Sequence, residues 1–225
     1  MQSFIKRKRL NICEFFISHQ GEGRLIGELM YFIRLGGCNL SCSWCDTNYA
    51  KNDFKEISIP DIIKKVIADG WNNGRWICIT GGEPLMQEET GFLIDQLLKE
   101  DYKIILETNG SYPIDSLNSF KKIMISMDIK CPSSGEERRN LFSNIHLLEE
   151  KDQLKFVIDS EEDYLYAVDI INRYKPGCVC IFQPQLGSND PKKFGWLFDR
   201  CKADLLNVRV ILQQHKIIYG DVRGV

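Results

Sequence analysis

The sequence predicts an α/β fold, a largely parallel sheet whose strands are joined and covered by helices. Short β-branched and aromatic runs recur along the chain, stretches of helical periodicity lie between many of them, and several strand runs are apolar without alternation. The last pattern belongs to strands buried on both faces. At 225 residues, with no internal repeat, low-complexity tract or Pro/Gly/Ser linker, residues 1–225 are expected to form a single domain.

Strands are expected at 12–18 (ICEFFIS), 29–35 (LMYFIRL), 75–80, 103–108, 122–129, 154–159, 178–183 and 207–213, each rich in residues that suit a pleated, buried surface. A helix over 58–70 opens on Ser58 as N-cap, with Pro60 in the first turn, where a missing N–H costs nothing. Helices over 88–100, 160–174 and 190–204 share the 3.6-residue period and begin with acidic or capping residues that suit the positive end of a helix dipole. The longest irregular stretches are 36–57 and 130–142. Long loops in a compact α/β domain tend to carry function, which directs attention to the first.

Composition excludes several classes of function. With 29 Lys and Arg against 31 Asp and Glu, a net charge of -2 and a pI near 6.0, the chain has no bulk attraction for phosphate backbones. The one basic cluster, KRKR at 6–9, reads as a solvated face, and no direct nucleic-acid partner is expected. No apolar run approaches the roughly eighteen residues of a membrane span. The N-terminal stretch, broken by Asn11 and Glu14, lacks the apolar core and cleavage site of a secretion signal. Nine cysteines are an odd number and too sparse for a disulfide scaffold. A reducing, cytoplasmic compartment is the expectation.

Three of those cysteines crowd into GGCNLSCSWCDT, residues 36–47. Cys38, Cys42 and Cys45, spaced C-x3-C-x2-C after a strand, can converge on a metal centre, either zinc or an iron–sulfur cluster. Structural zinc asks for a fourth ligand nearby, and Cys13, Cys78, Cys178, Cys180 and Cys201 are isolated or sit in apolar runs, where free cysteine behaves as a small hydrophobe. In a cubane held by three cysteines, one iron keeps an open position for an exogenous ligand.

This motif, with aromatic Trp44 before its last cysteine, resembles the signature of radical S-adenosylmethionine (SAM) enzymes. The resemblance implies a partial, open β/α barrel, reduced in helices, with a 4Fe-4S cluster on the three cysteines at the carboxyl edge of the strands. It implies that SAM chelates the open iron. An external one-electron reductant of flavodoxin or ferredoxin type then triggers release of a 5'-deoxyadenosyl radical. TGGEP at 80–84 looks like the superfamily's Gly-Gly-Glu-Pro element and implicates Gly82 and Glu83 with the SAM amino group.

ISHQGEG (17–23), CDT (45–47) and QQHK (213–216) narrow the resemblance, over nearly the whole chain and in order, to the 7-carboxy-7-deazaguanine synthases. These are homodimers that convert 6-carboxy-5,6,7,8-tetrahydropterin to 7-carboxy-7-deazaguanine with loss of ammonia, in the route to queuosine and archaeosine. The resemblance implies that Gln20, Glu22, Thr80 and His215 contact the pterin, and that Thr47 ligates Mg2+, a cation that takes hard oxygen donors and keeps waters. Arg34 interrupts an apolar strand; its planar fork suits bidentate capture of a carboxylate, the role the resemblance gives it. On the SAM side it implies Trp44, Asp46, Asp128, Lys130 and Gln183, although SMDIK (126–130) departs from the expected Ser-Pro-Lys. The chain runs ten residues past His215, so Val225 receives no role by alignment. A glycyl-radical activase shares the cysteine motif and approximate length, and a zinc or electron-carrying module would be the non-enzymatic counterpart.

Overall fold

In the computed structural model, which describes residues 8–120, 122–187 and 191–225, the apolar runs become nine strands. They are β1 (Arg9–His19), β2 (Leu29–Leu35), β3 (Lys55–Ser58), β4 (Trp76–Gly81), β5 (Lys103–Thr108), β6 (Ile123–Ile129), β7 (Gln153–Ile158), β8 (Val179–Pro184) and β9 (Arg209–Val210). All lie in one sheet, ordered β3-β1-β2-β4-β5-β6-β7-β8-β9, with two free edges, so the barrel stays open. From β2 to β9 every pairing is parallel; β1 runs antiparallel to both β2 and β3, with an irregularity between Ile12 and Glu14.

Strand side chains alternate between faces, and the two faces have different jobs. Tyr31, Ile33, Leu35, Ile77, Ile79, Ile104, Leu106, Leu154, Phe156 and Ile158 join the main core. Against them pack Ile62 and Val66 of α1 (Ile59–Ala68), Leu93 and Leu97 of α2 (Thr90–Lys99), Ala167 and Ile170 of α3 (Glu161–Tyr174) and Leu197 of α4 (Gly195–Ala203). The opposite face carries a smaller cluster of Met30, Phe32, Cys78, Ile105 and Met124. Two residues further along the same strands stand Arg34, Thr80 and Glu107; on β6 the position level with Glu107 is Ser126, and Asp128 follows at the next position on the same face. This inner face therefore passes from apolar to charged along the strands.

Local signals set several boundaries. The Ser58 side chain accepts from the Asp61 N–H at the start of α1, and Ser160 with Asp163 forms a reciprocal capping box on α3. Between β5 and β6 the chain makes only a 3₁₀ turn (Asp115–Ser119), and between β6 and β7 three more (Pro132–Ser134, Glu137–Arg139, Phe142–Leu147). These crossovers are the reduction in helices that the sequence predicted.

Four expectations change. β3 and a 3₁₀ turn (Asn48–Lys51) lie within 36–57, which was expected to be irregular. Lys55, Glu56 and Ser58 give β3 the polar composition of an edge strand, so it carries little apolar signal. The strand expected at 207–213 shrinks to two residues at the other edge, and α5 (Gln214–Tyr219) follows it. The helix expected at 190–204 begins only at Gly195, after a 3₁₀ turn over Pro191–Phe194; Asp190 lies outside the described residues. Of KRKR, Lys6 and Arg7 lie outside them too, as do residues 1–5 of the N-terminal stretch read for a secretion signal. Lys8 pairs with Glu89 at 2.5 Å and Arg9 with Glu56 at 2.8 Å. Among the described residues no helix is long and apolar enough to cross a membrane.

At the end of β4 the chain touches the cysteine loop backbone to backbone. The Gly82 N–H donates to the Leu35 carbonyl (3.1 Å) and the Glu83 N–H to the Gly37 carbonyl (2.9 Å). A Cβ on Gly82 would stand 1.9 Å from the Gly37 oxygen, whereas Gly91, in α2, faces open space. Gly82→Ala is therefore expected to lower unfolding free energy by about 1–3 kcal/mol, as overpacking does. Gly91→Ala should raise it by about 0.5–1 kcal/mol through helix propensity. Urea titrations of both variants check the pair.

Candidate active site

A cavity of about 690 Å³ opens at the carboxyl ends of the parallel strands, where α/β sheets gather their ligand sites. Of the residues predicted from sequence, all but Glu83 line it: Gln20, Glu22, Arg34, Cys38, Cys42, Trp44, Cys45, Asp46, Thr47, Thr80, Gly82, Asp128, Lys130, Gln183 and His215.

The cysteine loop is held from several sides. Gly37, at φ +84°, donates its N–H to the Ala50 carbonyl, buried Leu40 anchors the loop, and the Ser43 N–H reaches the Ser134 carbonyl. Asn109, just past β5, donates from its side-chain Nδ2 to the side-chain Oδ1 of Asn39 (3.1 Å). Burial pushes the Cys38 and Cys42 thiols up, so binding a metal as thiolates would release protons. All nine cysteines are unbridged, and only these three line the cavity. Among the described residues no three Cys, His, Asp or Glu side chains are placed to hold one metal ion. Three thiols set around a cavity fit an iron–sulfur cluster, which spreads its cysteines over several irons.

Glu83 is the one predicted residue that does not line the cavity; it is fully buried. One carboxylate oxygen accepts from the Leu85 N–H (2.9 Å) and the Thr108 hydroxyl (2.8 Å), the other from the Asn109 N–H (2.7 Å). Burial pushes its pKa up, and these three donors work against the rise. Its carboxylate ties strand ends together beneath the cavity floor.

Around the cluster loop, Lys130 Nζ lies 3.0 Å from Asp128, and Asp46 pairs with Lys216 of α5 at 3.2 Å. Burial alone would lower the Lys130 pKa, but the charge of Asp128 more than offsets it and raises the pKa. Gln183 Oε1 is a buried side-chain acceptor with no hydrogen-bond partner among the described residues, a vacancy that a ligand donor would satisfy.

On the opposite side, Gln20 Nε2 donates to Glu107 (3.0 Å) while its Oε1 accepts from the Glu22 N–H (3.1 Å). The Thr80 hydroxyl reaches the other Glu107 oxygen at 2.7 Å. Glu22 is gripped by Lys155 (2.6 Å) and Gln213 (2.7 Å). Burial would push the Glu22 carboxyl up; Lys155, followed by His215 and Gln213, holds it far below the usual range. His215 packs so tightly on Gly21 that a Cβ there would sit 2.2 Å from Nδ1. The Nε of Arg34, predicted to meet a ligand carboxylate, already binds an internal one, Glu14, at 2.7 Å, and its guanidinium lies over Phe16.

Sequence reasoning passed over Glu14, Glu107, Lys155, Gln213, Lys216 and Arg223. Glu14 and Lys155 had a readable signal: each is a charge inside an otherwise apolar strand run, ICEFFIS and LKFVID. Arg223 had none. It donates to Glu14 and Asp53, both at 2.7 Å, and stacks on Tyr49 at 4.2 Å, so residues 220–225, Val225 included, line the cavity.

Residues 32–182 match the family model described as the radical SAM superfamily. The chain is 38% identical over 216 residues to a 7-carboxy-7-deazaguanine synthase of Thermoplasma acidophilum, covering 95% of this chain and 99% of that one. It is 36% identical to the enzyme of the same name from Chlorobaculum tepidum, covering 96% and 97%. Among solved structures, QueE from Escherichia coli superposes with a TM-score of 0.73 at 21% identity, covering 95% and 98%, a likeness of fold.

Two stability measurements test this geometry. Glu83→Gln puts an amide N–H₂ against a donor and should cost about 1–3 kcal/mol in urea unfolding. Because the folded Glu22 carboxyl titrates below its ordinary value of 4.5, its contribution is present above that pH and is lost as the pH falls through the folded value. The stability gap between wild type and Glu22→Gln should therefore narrow on acidification.

Proposed function

The chain belongs to the radical SAM superfamily and, within it, to the 7-carboxy-7-deazaguanine synthases; from that membership we propose that it converts 6-carboxy-5,6,7,8-tetrahydropterin to 7-carboxy-7-deazaguanine with loss of ammonia, in 7-deazapurine biosynthesis. The observation that carries this reading is the joining, in one cavity, of a three-thiol loop with a buried set of hydrogen-bonding groups suited to a pterin.

Cys38, Cys42 and Cys45 would hold the 4Fe-4S cluster, and no other cysteine among the described residues lines the cavity. When bound, the cluster and SAM supply the one-electron chemistry that begins the rearrangement. The protein's own groups bind and orient. Gln20, Glu22 and Thr80 meet the polar edge of the pterin, and His215 closes over it. Arg34, its Nε anchored by Glu14, turns its remaining N–H groups to the substrate carboxylate. Trp44, Asp46, Gly82, Asp128, Lys130 and Gln183 form the SAM side, and the unpartnered Gln183 oxygen takes a donor there. Glu83 stands with Gly82 on the side of the SAM amino group, where it also fixes the strand ends. The Thr47 hydroxyl, on the cavity wall, would be the protein ligand to Mg2+. Holding the reactants in register and away from water is the protein's main share of catalysis.

In this reading the chain works as one domain, pairs as a homodimer, receives electrons from a flavodoxin or ferredoxin and operates in the cytoplasm. The nine unbridged cysteines support a reducing compartment.

Anaerobic reconstitution with iron, sulfide, SAM, a reductant and the carboxypterin tests the proposal by mass spectrometry. Wild type should form the deazaguanine product and Cys42→Ala none; product from Cys42→Ala, or wild-type material with no iron or labile sulfide, would overturn the assignment. Thr47→Ala should leave cluster content unchanged and raise the Mg2+ concentration needed for half-maximal turnover by about tenfold or more, the scale seen when metal-site partners are removed.

A further inference from the structure

Lys155 stands in the middle of β7, in a run otherwise built for burial, and its side chain is 6% exposed. Its ammonium lies 2.6 Å from Glu22 and 3.4 Å from Asp128. Glu22 belongs to the loop that reads the pterin, and Asp128 to the strand end on the SAM side. An uncompensated buried charge is costly, so a lysine kept at this depth has to be matched by carboxylates, and here the nearer one is Glu22.

We infer that Lys155 is a positioning residue for the pterin, acting through Glu22: it keeps that carboxylate ionised and fixes its orientation, so that Glu22 presents only acceptors to the substrate's N–H groups. The inference rests on the function proposed above. The geometry favours it over a purely structural ion pair for two reasons. Each Glu22 oxygen takes one protein donor, Lys155 on one and Gln213 on the other. An oxygen with two lone pairs and one partner can still accept from a ligand, and both Glu22 and Lys155 line the cavity. A protonated Glu22 would instead turn an O–H donor toward donors on the substrate, and the edge could no longer be read.

The charges around Glu22 come from several elements. Lys155 projects from β7, Asp128 and Lys130 from the end of β6, Glu107 from β5, and His215 from α5. Burial opposes the charge of Lys155, but Asp128, Glu22 and Glu107 more than offset it, so the lysine remains protonated across the physiological range. Without it, burial and the negative charge of Asp128 would act on Glu22 together. The Glu22 pKa would rise toward neutrality.

The test is a double-mutant cycle of Lys155→Met and Glu22→Gln in reconstituted, full-length enzyme. Lys155→Met should raise KM for the carboxypterin by about tenfold or more, leave KM for SAM within about twofold, and change KM by less than about threefold when Glu22→Gln is already present. It should also add an acid limb to the pH profile of kcat/KM between about pH 5 and 8, absent from wild type and from Glu22→Gln. An equal loss in both backgrounds, an effect confined to KM for SAM, or no acid limb overturns the inference. Lys155→Gln serves if the methionine variant does not fold.

A measurement that needs no substrate separates this inference from the functional reading. Proteins labelled with ¹³C at the glutamate carboxyl are titrated by NMR, with Glu22→Gln assigning the signal. Glu22 should stay ionised over about pH 5 to 8 in wild type and titrate within that range in Lys155→Met. If wild type makes no product yet this shift appears, the reading of the substrate fails and the Lys155–Glu22 coupling stands; if wild type turns over and the shift is missing, the coupling fails alone.

Discussion

The cavity depends on one buried carboxylate that never touches it. Glu83 draws its three donors from the turn after β4 and from the end of β5, while its own N–H is given to the Gly37 carbonyl at the root of the cysteine loop. A buried carboxylate held by three donors is rigid, because moving any partner leaves a charge less satisfied at a cost of about 1–3 kcal/mol or more, by the usual order of such penalties. The loop that carries the thiols is thereby fastened to the same strand ends that carry Thr80 and Glu107. Without that fastening, a twelve-residue stretch whose large apolar side chains are Leu40 and Trp44 alone would have little apolar surface to order it.

Above this floor the inner face of the sheet collects charge. Arg34, Glu107, Asp128, Lys130 and Lys155 point into one space, joined by Glu22 from the loop after β1. The ion pairs among them are poor evidence of net stabilisation, since desolvating each ion costs about as much as its partner returns. Their effect lies in orientation and protonation state. The carboxyls of Glu22 and Asp128 are held low by the neighbouring lysines despite burial, and both lysines are held high. Such an arrangement is costly to a sheet and useful to a binding site, and it occupies the cavity side of the sheet, where Lys155 in mid-β7 lies level with Asp128 near the end of β6. The opposite ends remain apolar around Met30, Phe32 and Cys78.

The open sheet leaves the cavity to be bounded by something other than a further strand, and the end of the described chain does this. The backbone N–H of Gln214 bonds to the Gly21 carbonyl, Lys216 pairs with Asp46, and Arg223 reaches Glu14 and Asp53. Glu14 is shared: it takes Arg34 and Tyr49 on one oxygen and Arg223 on the other. Residues far apart in sequence thus set the position of Arg34, the group proposed to meet the substrate carboxylate.

What could be read from the chain alone was whatever is local or carried by a motif. Helical periodicity and the Ser58 and Ser160 caps marked α1 and α3, apolar runs marked the interior strands, and C-x3-C-x2-C with TGGEP and QGEG marked part of the cavity wall, because these signals lie within a few neighbouring residues. Tertiary structure decided the rest. The edge strand β3 and the short β9 are stabilised by one neighbour each, and α5 rests on contacts with Gly21 and Asp46, so their sequences need little apolar signal. That Glu83 is buried behind the cavity lining, held by donors from two strand ends, follows from contacts that motif position does not specify. The roles of Lys155, Glu14 and Arg223 exist only across separations of 133, 20 and 209 residues, and a charge on a strand acquires a meaning only when folding brings its partner into contact.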